Sequence, residues 1–94
     1  MFERIIVVCT GNICRSPVAA AMFARDLPRH RIESAGLAAR VVEGVESTAR
    51  RLAEADGLDV SAHRARQLER ALVMQADLVL VISQRQRRAV AKRA

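Results

Sequence analysis

Ninety-four residues suffice for one domain at the small end of what buries its own core. Hydrophobic residues make up 51% of the chain, but with two Phe and no Tyr or Trp it has almost no aromatic platform for stacking bases. The net charge of +6 favours anionic ligands; no nucleic-acid motif accompanies it, so nucleic acid is not an expected partner.

The apolar runs, such as residues 78–82, are far too short to span a bilayer. No segment joins positive charge to an apolar stretch as an export signal does. A soluble, cytoplasmic protein with no membrane partner is expected. Its two cysteines, Cys9 and Cys14, stand five positions apart. A bridge closing so short a loop adds little stability, which makes reactive chemistry the better reading than a structural staple.

In chain order, residues 4–8 (RIIVV) form a continuous β-branched run, the mark of a strand buried on both faces and therefore of a parallel sheet. A Gly-containing loop follows, with Gly11 supplying a tight or positive-φ turn. Pro17 suits the first turn of a helix, residues 18–27 are good helix formers, and Pro28 stops them. Residues 31–34 (RIES) read as a second strand closed by Ala35 and Gly36, and 37–44 as an ordered loop. A second helix spans 47–55, with Ala49 and Leu52 inward and Gly57 past its end. Residues 61–67 are loop, 68–74 a short helical stretch, 77–82 (DLVLVI) a third buried strand, and 84–94 a basic helix. This order predicts a single α/β domain over 1–94, with a parallel sheet flanked by helices.

The segment CTGNICRS, Cys9 to Ser16, carries the chemistry. Between a strand end and a helix start, the amides of Thr10, Gly11, Asn12, Ile13 and Cys14 can curl around a tetrahedral oxyanion. Arg15 offers a planar fork for two of its oxygens. The same positive surroundings favour the thiolate of Cys9, and Ser16 can donate a hydrogen bond to it. A cysteine so placed attacks phosphorus in line and forms a cysteinyl-phosphate that water cleaves.

VCTGNICRSP resembles the signature of the low-molecular-weight protein tyrosine phosphatases, particularly the bacterial type. SAG at 34–36, HRARQL at 63–68 and DLVLV at 77–81 are similar to that family's segments at matching spacing, so the resemblance covers essentially the whole chain. It implies a Rossmann-like phosphatase fold and a phosphomonoesterase acting on phosphotyrosine or aryl phosphates, binding inorganic phosphate and other oxyanions, with neither metal nor organic cofactor. It assigns Cys9 as nucleophile, Arg15 as phosphate clamp, and Asn12, Ser16, Ser34 and His63 as the polar network that holds the loop. On the residues alone, His63 reads equally well as a surface histidine. Cys14 matches the family's second cysteine, which forms a reversible disulfide with the nucleophile, or is simply a small buried residue. Leu37 and Arg40 fall where the family lines its substrate cleft.

The resemblance also has gaps. Ala20 and Ser83 stand where the family commonly has acidic residues. The family's general acid, an Asp in an Asp-Pro motif, has no counterpart, since no Asp-Pro dipeptide occurs here. Asp26, Asp56, Asp59 and Asp77 lie outside that motif. A fourth strand and a final helix are expected to be missing with it, leaving the domain as the N-terminal two thirds of the family's, with weakened turnover and an open third strand prone to self-association. Two other readings stand beside the phosphatase: a phosphate- or phosphoprotein-binding module without turnover, and an arsenate reductase. The latter needs further cysteines to relay a disulfide, and none follows Cys14.

Overall fold

A computed structural model of the protein describes residues 3–81 together with Arg88 and Val90. The described elements are β1 (Arg4–Cys9), α1 (Arg15–Asp26), β2 (Arg31–Gly36), α2 (Ser47–Ala55), α3 (Arg70–Gln75) and β3 (Leu78–Val81). The three strands form one parallel sheet in the order β2-β1-β3. The α/β class and the parallel sheet agree with the sequence reading. The basic helix expected over 84–94, Ser83 and the end of the third strand lie outside the described residues, apart from Arg88 and Val90.

β1 is central because its side chains are apolar on both faces. Ile6 and Val8 pack on one face with Ala35, Leu68 and Val90, backed by α3 residues Leu72 and Val73. Ile5 and Val7 are buried on the other, where Ile32 and Ser34 pair beside them and α1 crosses the sheet. Each such aliphatic side chain contributes roughly 1.5–3 kcal/mol on burial. β2 runs two residues longer than expected, because Ala35 and Gly36 continue the ladder opposite Val8 and Cys9. That extension carries β2 to the level of Cys9. β3 pairs with β1 only and is half-buried, an open edge among the described residues.

α1 begins without a side-chain cap hydrogen bond from Cys14, and among the described residues no side chain caps its first turn. Pro17, third in the helix, has no N–H to leave unsatisfied there. α2 is capped by Glu46, whose carboxylate accepts from the amides of Thr48 (2.8 Å) and Ala49 (3.2 Å). Those backbone hydrogen bonds hold its carboxyl below the ordinary range. The expectation that Leu52 faces inward is wrong: it is 69% exposed. Ala53 is the buried residue, packed with Leu58 and Val60 against Val18 and Ala21 of α1. One helical step of about 100° turns Leu52 off that face. Gly57, with φ 79°, ends α2 in the left-handed conformation, as the sequence suggested.

Candidate active site

Cys9 ends the central strand, and its thiol is buried at the start of a loop that runs into α1. The Cys9 Sγ lies 2.9 Å from Ser16 Oγ and 3.3 Å from the amide nitrogen of Asn12. Asn12 is fully buried and left-handed, with φ 58°. Its side chain is fixed unambiguously, because Oδ1 meets the Arg66 N–H at 2.9 Å and must accept there. Nδ2 therefore donates to Ser16 Oγ (2.8 Å) and Ser34 Oγ (2.9 Å). With Ser16 Oγ accepting from Asn12, its own proton is free for the Cys9 sulfur.

The loop carbonyls are held outward one after another. Cys9, Thr10 and Gly11 accept from the amides of Leu37 (3.0 Å), Ala38 (2.9 Å) and Arg40 (3.0 Å). The Asn12 carbonyl meets His63 Nε2 at 2.7 Å, and Ile13 accepts from the Glu46 amide at 2.7 Å. In a trans peptide the N–H points opposite to the preceding carbonyl. Pinning the carbonyls of residues 9–13 outward thus turns the amides of residues 10–14 to the inside of the loop. The Asn12 amide meets the sulfur, and among the described residues nothing accepts from those of Gly11, Ile13 or Cys14. A concave set of donors around a buried thiol, backed by a helix start, is an oxyanion cradle.

The backbone demands fall on Asn12 and Gly36 instead of on Gly11. Gly11 does not adopt positive φ; Asn12 takes the left-handed position, which an asparagine tolerates when its side chain is anchored. Gly36, by contrast, is required by close approach, since a Cβ there would lie 2.6 Å from the Thr10 carbonyl oxygen. At Gly11 the nearest contact to such an atom would be 3.5 Å, with Ile13. Gly36→Ala is expected to cost on the order of 1–3 kcal/mol and to displace the cradle. Gly11→Ala should leave the melting temperature unchanged or slightly raised. Thermal melts of both variants check this.

Arg66 and Glu33 escaped the sequence reading. Beyond its amide bond to Asn12, Arg66 donates through Nε to the Ser34 carbonyl (3.0 Å) and through Nη2 to Glu33 (2.7 Å). Arg4 holds the other Glu33 oxygen at 2.6 Å. Burial by itself would raise the Glu33 carboxyl, but the hydrogen bonds and charges of Arg4 and Arg66 overcome it and hold the group below its ordinary value. A depressed folded-state value makes the ionised form stabilising above the unfolded-state value, and that stability is lost as pH falls through the folded one. The melting advantage of wild type over Glu33→Gln should therefore be constant from neutral pH to about 5 and shrink below about pH 4. Calorimetry across that range tests it.

Of the other candidates, Arg15 is exposed at the helix start and forms no ion pair among the described residues, leaving its guanidinium available. Cys14 is exposed, not a buried packing residue, and both cysteines are free. His63 belongs to the loop network. Leu37 packs against the core while its carbonyl accepts from Gln67 Nε2 at 2.6 Å. Arg40 lays its stem beside Gly11 and pairs with Glu43 at 2.7 Å. Next to it, Val42 is 72% exposed with φ 64°, a strained conformation for a β-branched residue. Asp77 accepts from the amides of Glu3 and Arg4 at the far end of β1, Asp26 and Asp56 meet Arg25, and Asp59 holds Ser61. None of the four reaches the cradle.

The family profile described as low molecular weight phosphotyrosine protein phosphatase matches residues 4–94. The chain belongs to this family. It is 45% identical over 85 residues to the Escherichia coli K12 low molecular weight protein-tyrosine-phosphatase Wzb, covering 90% of this chain and 58% of the relative. It is 41% identical over 87 residues to the Acinetobacter johnsonii protein-tyrosine-phosphatase Ptp, covering 93% and 61%. The fold superposes on Vibrio vulnificus Wzb in complex with benzylphosphonate with a TM-score of 0.96 at 35% identity, covering all of this chain and 67% of that one. The chain thus spans about three fifths of the length of the curated relatives it matches. In this chain a strand-end cysteine, Cys9, is joined by a short loop to a helix-start arginine, Arg15. Among the described residues no helix is long and apolar enough to cross a membrane.

Proposed function

We propose that residues 1–94 form one domain, equivalent to the N-terminal two thirds of the family's, and that it dephosphorylates phosphotyrosine in proteins through a cysteinyl-phosphate. The observation that carries this is the sulfur of Cys9, buried within 3.3 Å of an inward loop amide and 2.9 Å from a hydroxyl whose proton it alone faces. The thiolate forms the S–P bond as the P–O bond to the phenolic oxygen breaks. The amides of Thr10 to Cys14 and the Arg15 fork bear the charge on the equatorial oxygens. Water then cleaves the S–P bond, and Ser16 stabilises the departing thiolate. Asn12, Ser34 and His63 hold the loop, and Cys14 is the partner that forms a protective disulfide with Cys9 under oxidants.

Protonation of the leaving phenoxide is assigned to none of these residues, since general acid catalysis typically supplies about 10²–10⁴-fold and the four aspartates noted above are engaged elsewhere. Activated aryl phosphates, which leave without a proton, are the expected best substrates. The same observation favours a second reading, a phosphate-binding module without turnover. The setting is read as cytoplasmic, with no nucleic acid and no membrane as partner. Self-association through the open β3 edge is expected, and sedimentation showing only monomer overturns that.

Rapid quenching of the reduced protein with p-nitrophenyl phosphate, followed by mass spectrometry of the Cys9 peptide, separates the two readings. A phosphorylated Cys9 with steady nitrophenol release supports the enzyme. Phosphate binding with no adduct and no product supports the module instead.

A further inference from the structure

Beside the Asn12 network, α1, β2 and residues 63–66 line an open groove of about 400 Å³. Its α1 wall is built from Ala20, Ala21 and Ala24, and Ile32 lies opposite. These small apolar side chains leave the space. The polar lining is rich in donors without acceptors. Ser34 Oγ already accepts from Asn12 Nδ2, so its own proton is unspent, and no acceptor for it is found among the described residues. Arg64 uses only Nη1, on the carbonyls of Ser61 (3.2 Å) and His63 (2.6 Å). Arg66 leaves Nη1 unused. The one carboxylate in the lining, Glu33, is already shared by Arg4, Arg31 and Arg66. The groove therefore presents a buried hydroxyl donor and two guanidinium groups beside an apolar wall.

We propose that this groove binds a small monocarboxylate with a short apolar tail, its oxygens on Ser34, Arg64 and Arg66 and its tail against the α1 alanines. An inorganic oxyanion would satisfy the donors but leave the alanine wall uncovered. Ser34 is hydrogen-bonded to Asn12, the residue that shapes the cradle, so an occupant here and an oxyanion at Cys9 act on the same side chain. The two sites are thermodynamically coupled, each ligand changing the other's affinity by the same factor.

The test is an amide NMR titration of the whole 94-residue protein with sodium butyrate and with sodium acetate, chloride balancing the ionic strength. Saturating shifts are expected at Ala20, Ala21, Ser34 and Arg64, with butyrate binding about tenfold more tightly than acetate for its two extra methylenes. Arg64→Ala should weaken butyrate about tenfold through the lost charged donor. Ala20→Leu, which fills the groove without changing charge, should abolish the shifts while the remaining spectrum stays folded. Phosphate affinity, measured by calorimetry, should change in saturating butyrate and not in matched chloride. Shifts that never saturate, shifts centred on Gly11 to Arg15, affinity unaltered in Ala20→Leu, or an unchanged phosphate affinity would each overturn the proposal.

Discussion

Cys9→Ser is expected to lower turnover of aryl phosphates by on the order of 10⁴- to 10⁶-fold while inorganic phosphate still binds. The loop carbonyls are fixed by the amides of Leu37, Ala38, Arg40 and Glu46 and by the His63 ring, so the inward amides keep their places in the variant. A serine hydroxyl within reach of Ser16 and the Asn12 amide is not ionised at neutral pH and is a far weaker nucleophile than a thiolate. Phosphate binding by calorimetry, set beside steady-state release of nitrophenol, separates the two effects. Retained turnover would remove Cys9 from the chemistry. Lost phosphate binding would mean that the sulfur shapes the loop.

Asn12→Asp should have the largest effect on stability of any isosteric change in the site. The Oδ1 contact with the Arg66 amide survives, but Nδ2 is lost, and with it the donors to Ser16 and Ser34. The Ser16 proton then turns to the new carboxylate and leaves the sulfur. A carboxylate at a fully buried position, with no cation paired to it among the described residues, costs about 3–5 kcal/mol. In a domain whose total stability is on the order of 5 kcal/mol, this approaches unfolding at ambient temperature. Asn12→Gly tolerates φ 58° without strain and introduces no charge, so it isolates the loss of the side-chain hydrogen bonds. Circular-dichroism melts should rank wild type above Asn12→Gly, and Asn12→Gly above Asn12→Asp. Equal melting of Asn12→Gly and wild type would show that the network adds nothing.

The strand, loop and helix of the cradle were legible because each is written locally. A β-branched run ends at Cys9, a short loop follows, and Pro17 and the alanines begin a helix. Ser34 and His63 were found only through resemblance; in isolation a serine near a strand end and one histidine signal nothing. Arg66 stayed hidden because its use depends on Asn12, 54 positions earlier, and on a carboxylate one strand away. The need for Gly36 came from the approach of the Thr10 carbonyl, a tertiary fact with no local signature. Leu52 was misplaced for a related reason. Its hydrophobicity outweighed that of Ala53, yet it is Ala53 that faces Val18 and Ala21 of α1 while Leu52 is exposed.

The outward pinning of the loop carbonyls also bears on how the site comes into being. Its clamps reach Cys9 to Ile13 from residues 37–46, 63 and 66, so the cradle has no native shape until more than half of the chain has collapsed around β1. Contacts of such sequence separation form late, after loop-closure entropy has been overcome. The amides of a nascent or excised segment 9–16 would wander, and a peptide of that sequence should not hold phosphate. Cys9 consequently spends the early life of the molecule without the cradle around it, open to oxidants, and acquires those surroundings only when β2 and residues 63–66 dock.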